Sequence, residues 1–116
     1  MFLCLALNIY FEARDQSIDG QRMVAEVTIE RAIGGDICEE VWRDGAFSWT
    51  QDGKSDDPVE EDAWLLAQSI AIDVIMNGCE FCTGADHYHE KSITPYWAAS
   101  YRKVGIVGDH VFYSND

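Results

Sequence analysis

Glu12 is the residue whose setting first suggests chemistry. It ends an apolar run, flanked by Ile9, Tyr10, Phe11 and Ala13. An ordinary glutamic acid, with a pKa of about 4.3, is almost fully ionised at neutral pH. Apolar neighbours at a cleft would desolvate the carboxylate, raise its pKa and keep a proton available for a poor leaving group. Asn8, one helical turn back, can hydrogen-bond that carboxyl or a ligand, whereas Arg14 points to another helix face and need not cancel the shift. Taken alone, a glutamate at a helix end is more often a solvated carboxylate.

A second constellation is Cys79-x-x-Cys82 followed by His87 and His89, four zinc-type donors within eleven residues. A Cys-x-x-Cys pair is common in zinc sites, but the His-x-His half departs from the usual finger spacing. Cys38 or Cys82 with a histidine would be a peptidase pairing. Neither thiol sits convincingly at an activating helix N-terminus. Cys4 and Cys38 read as small buried hydrophobes.

Helices must hold Glu12 in place. Leu3, Leu5, Ala6, Ile9, Tyr10 and Ala13 predict a first helix over roughly 2–14. Ser17 or Asp19 can cap a second, largely buried helix over about 19–33, which Gly34-Gly35 stops. Residues 36–42 predict one or two further turns, and 45–57 a polar loop around Phe47-Ser48-Trp49. Asp57-Pro58 predicts the start of a third long helix, with Glu60, Glu61 and Asp62 at its positive end and Gly78 closing it. Val104–Val107 and His110–Tyr113, joined by Gly108-Asp109, read as a hairpin. Helices first and a small antiparallel sheet last make an α+β domain spanning 1–116.

The 116 residues include 21 acidic and 8 basic side chains, a formal charge of −13. Such a chain is not held on nucleic acid or an anionic membrane by counterion release. Met1–Phe11 lacks the basic start and cleavage site of a signal peptide and is too short to span a bilayer.

Seven segments in order resemble the cell-wall hydrolase family typified by the spore-cortex-lytic enzyme SleB, which also occurs in phage lysis genes. They are Tyr10-Phe11-Glu12-Ala13-Arg14; Gly20-Gln21 with Ala25, Val27 and Arg31; Ile37-Cys38 with Val41; Phe47-Ser48; Thr83-Gly84-Ala85 with His87-Tyr88-His89; Pro95-Tyr96-Trp97; and Gly108 with His110, Phe112 and Tyr113. Ala46 departs from the glutamine usual before Phe-Ser. The resemblance implies a lysozyme-like fold and a lytic transglycosylase or muramidase acting on the MurNAc–GlcNAc bond, with Glu12 as catalytic acid. It also implies peptidoglycan glycan strands as partner. The expectation includes no cofactor and a monomer.

A sugar cleft needs aromatic platforms and hydrogen-bond donors. Phe47, Ser48, Gln21, His87, Tyr88, Trp97 and Tyr113 are the substrate-binding candidates, with Trp49, Tyr96, His89 and His110 behind them. Core packing is as good a reading of each aromatic. Two-carboxylate hydrolysis needs a partner acid, for which Glu26, Glu30, Asp86 and Glu90 are candidates, none singled out by motif. That absence fits a transglycosylase. The rivals are a zinc-dependent peptidoglycan amidase or peptidase and a non-catalytic wall-binding module. With no signal peptide read, a phage endolysin, a virion-borne lysin or a domain of a longer exported protein is expected.

Overall fold

The computed structural model describes residues 2–115. Four helices come first: α1 (Phe2–Ala13), α2 (Ile18–Arg31), α3 (Ile37–Trp42) and α4 (Glu61–Asn77). Three strands follow, β1 (His87–Glu90), β2 (Arg102–Val107) and β3 (His110–Ser114), with short 3-10 turns at Ser48–Gln51 and Tyr96–Ser100. The sheet is antiparallel with β3 central, so His110–Ser114 is buried along its whole length. The predicted hairpin is present, and a bulge between Lys103 and Gly105 bends β2.

Local chemistry explains most boundaries. Ser17 caps α2, its hydroxyl accepting the Gly20 N–H, and Asp36 caps α3 by accepting from Glu39 N–H. Helix α2 ends at Arg31, two residues early, and Gly34 then takes a φ of 86°, open to glycine without strain. Helix α4 starts at Glu61, not at Pro58. Two contacts, one to α1 and one to the residue just after it, override the Asp-Pro signal: the Glu60 N–H donates to the Tyr10 hydroxyl at 3.0 Å, and Arg14 pairs with the Glu60 carboxylate at 3.2 Å. The Asp57 N–H donates to Ser55 Oγ instead of leaving Asp57 to cap a helix.

Helix α1 is buried against α4, with Leu5, Ala6, Ile9 and Tyr10 meeting Ala67, Ile70, Ala71 and Val74. Met23, Val24 and Val27 of α2 meet Phe112 of β3. Asn8 proves to be core rather than site. Fully buried, it donates to Thr28 Oγ1 at 2.9 Å and accepts from Trp49 Nε1 at 2.8 Å, so neither of these bonds goes to Glu12 or a ligand.

The cysteines also correct the sequence reading. Cys4 and Cys38 form a disulfide that ties α1 to α3, and Cys79 and Cys82 form another. Neither Cys38 nor Cys82 is then a free nucleophile. No helix among the described residues is long and apolar enough to cross a membrane.

Candidate active site

Glu12 sits in the last turn of α1, where packing against the sheet leaves it partly buried. The Tyr88 hydroxyl, from the middle of β1, donates a hydrogen bond to Glu12 Oε1. The Tyr88 ring is held by Phe112 at 5.5 Å and by the edge of His110 at 5.0 Å. Thus the helix presents the acid and the sheet presents its partner.

Burial raises the Glu12 pKa, and the Tyr88 hydrogen bond and the Arg31 charge only partly oppose this. The Tyr88 hydroxyl is itself pushed well above its usual value, first by burial and then by the neighbouring Glu12 carboxylate. It therefore stays a neutral O–H donor across the working pH range. Burial lowers the His110 pKa, favouring the uncharged ring behind Tyr88.

Two hollows flank this pair. One, of about 440 Å³, is lined by Phe11, Glu12, Arg14, Asp15 and Glu60. The other, of about 480 Å³, is lined by Tyr88 with Arg31, Gly45, Ala46, His87, Tyr96, Trp97, Ser100 and Tyr101. Glu12 belongs to the first and Tyr88 to the second, so their hydrogen bond links the two linings. His87, Trp97 and Tyr101 pack together with ring centroids 4.7–5.4 Å apart.

Of the substrate-binding candidates, His87, Tyr88 and Trp97 come together in the second hollow, joined by Tyr96 from the candidates behind them. The others do not. Phe47 is buried beneath the Arg31 guanidinium, 4.9 Å from its ring, and is a core residue. Ser48 is exposed and lines neither hollow. Gln21 is buried and donates to the Gln16 carbonyl at 3.2 Å, tying down the α1–α2 connection. Tyr113 is buried, its hydroxyl 2.9 Å from His89 Nε2, so this pair braces the sheet.

The zinc quartet is dismantled. Cys79 and Cys82 are joined to each other, His87 Nδ1 lies 2.9 Å from Asp86 and His89 faces Tyr113. Among the described residues no three His, Cys, Asp or Glu side chains converge as metal ligands.

Arg31, Ser100 and Tyr101 in the second hollow, and Asp15 and Glu60 in the first, were not singled out as site residues from the sequence. Tyr101 falls one helical turn after Trp97, the only local signal for it.

The cell wall hydrolase family model matches residues 15–113. The chain belongs to the cell wall hydrolase family. Its fold is that of two solved structures. One is the catalytic domain of the germination-specific lytic transglycosylase SleB from Bacillus anthracis, at 22% identity, covering 97% of this chain and 93% of that one, with a TM-score of 0.79. The other is the catalytic domain of the Bacillus cereus SleB protein, also 22% identical, covering 97% and 89%, with a TM-score of 0.75. The α+β expectation, helices first and a small antiparallel sheet last, therefore holds for this cell wall hydrolase. A search of curated proteins found no match.

Proposed function

We propose that this cell wall hydrolase cleaves the MurNAc–GlcNAc bond of peptidoglycan as a lytic transglycosylase, with Glu12 as acid and then base. The observation that carries the reading is a carboxyl whose pKa is raised by burial, lining one hollow and hydrogen-bonded to a tyrosine that lines a second. Protonated Glu12 gives its proton to the glycosidic oxygen as the bond from that oxygen to the anomeric carbon breaks. The departing sugar leaves with a new hydroxyl. The substrate's acetamido oxygen supports the positive charge at the anomeric carbon. The Glu12 carboxylate, stabilised by the Tyr88 O–H, then takes the proton from the 6-hydroxyl of the sugar that keeps this anomeric carbon. That oxygen closes on the anomeric carbon, leaving a 1,6-anhydro end and a protonated Glu12.

The carboxylates nominated as a second acid support this course. Glu26 is buried and accepts three backbone N–H groups, from Glu80, Phe81 and Cys82. Asp86 is engaged by His87 and the Asn115 N–H, and Glu90 by Ser92. Neither these nor Glu30 lines the hollow that holds Glu12. Asp15 and Glu60 do line it, which makes product analysis decisive. Digestion of purified peptidoglycan followed by mass spectrometry should give anhydro ends. Reducing ends would mean a muramidase using one of those carboxylates, and free stem peptides would refute glycosidase action.

Replacing Tyr88 by Phe removes the donor that favours the carboxylate form. The Glu12 pKa should rise further, so the alkaline limb of kcat/KM moves to higher pH while kcat falls about tenfold. An unmoved limb would show that the hydroxyl does not act on Glu12.

The same reading places the working enzyme in the periplasm or wall. It would reach there as a phage lysin released by a holin or carried on the virion, or within a longer exported protein. Two disulfides, which persist in oxidising compartments, support that side of the membrane.

A further inference from the structure

Arg31 occupies an unusual position for a chain of formal charge −13. Among the residues lining the aromatic hollow it is the one permanent charge. Its side chain is only 18% exposed, and its guanidinium is steadied 4.9 Å over the Phe47 ring. Its one ion pair among the described residues is to Glu40, at 3.5 Å, and the Glu40 carboxylate is shared with Arg43 at 2.9 Å. A guanidinium carries five N–H donors in a planar fork that fits a carboxylate. Among the described residues most of those donors are unspent, and the same hollow holds Trp97 and Tyr101, whose rings suit a sugar face.

We propose that the aromatic hollow is a subsite for a carboxylate-bearing sugar unit, in which Arg31 holds the carboxylate while the rings of Trp97 and Tyr101 carry the sugar. This rests on the glycosidase reading above and extends it to specificity. An acidic protein meets an anionic polymer here, so attraction has to come from a local cation inside a cleft, because the overall field is repulsive. The carboxylate has two sources on a peptidoglycan strand: the lactyl ether of the muramic unit when its peptide is absent, or the stem peptide itself.

The test compares four substrates with the wild-type chain. They are glycan strands bearing stem peptides, strands stripped of peptide with free lactyl carboxylates, and both kinds after carbodiimide coupling to methylamine, which neutralises the carboxyls. Neutralisation should lower kcat/KM roughly tenfold or more, chiefly through KM, as expected for loss of a charge-assisted pair. A drop confined to the stripped strands assigns the lactyl group; one confined to peptide-bearing strands assigns the stem. In Arg31→Gln the difference between native and neutralised strands should vanish, and Arg31→Lys should restore part of it. Because the substrate arms use the wild-type chain, they decide the matter even if Arg31→Gln folds poorly. Neutralised strands cut as well as native ones would overturn the proposal. So would an Arg31→Gln variant that slows all substrates by one common factor, because the charge would then act only through Glu12. If the wild-type chain cuts no strand at all, it is the glycosidase reading that fails.

Discussion

Glu12→Gln should reduce peptidoglycan cleavage by about 10³-fold or more while leaving the fold intact, because one side chain supplies both proton transfers. The amide keeps the size of the carboxyl and can still accept the Tyr88 O–H, so packing at the end of α1 is preserved. It cannot donate an acidic proton to a departing sugar. Removing an ionisable group from a buried position should also leave thermal stability unchanged or slightly raised. The pH dependence of the wild type follows from the direction of the shift. Activity needs protonated Glu12, burial raises its pKa, and so activity should persist above the ordinary carboxylate range before falling as the proton is lost. Turbidity loss of a wall suspension, followed for both proteins across pH, measures this. A Glu12→Gln protein that clears walls at the normal rate would mean that another acid does the work.

The second large effect concerns stability. The Cys4–Cys38 bridge spans 34 positions and fastens the helix bearing Glu12 to α3. In the chain-entropy account, closing a loop of that length restricts the unfolded chain by about 4 kcal/mol. The Cys4→Ser, Cys38→Ser double variant should therefore unfold at a urea midpoint lower by about 2 M. The Cys79–Cys82 bridge spans only 3 positions, and its removal should cost about half as much energy. Urea titrations of the two double variants test the order. Equal midpoints for the Cys4/Cys38 variant and the wild type would show that helix packing alone secures α1.

Wherever a local rule acted without competition, the chain could be read directly. The apolar spacing of α1, the Ser17 cap and the Gly108-Asp109 turn each depend on residues within a few positions, and each stands where the pattern puts it. The Asp57-Pro58 signal failed because its competitor, Tyr10, lies 50 residues from Glu60. The same applies to the binding candidates. Phe47 and Trp97 look equivalent as aromatic residues, yet Phe47 became core and Trp97 cleft. Which aromatic faces solvent depends on what packs behind it, and no neighbour in sequence records that.

By itself, the sequence determined the α+β order of elements, the apolar setting of Glu12 and the family motifs, because periodicity, capping and motif spacing are local properties of a chain. Only the tertiary structure decided that Tyr88 reaches Glu12 across 76 positions, that Arg31 lines an aromatic hollow and that the four cysteines pair. Those are meetings between distant segments, and packing rather than spacing brings them together.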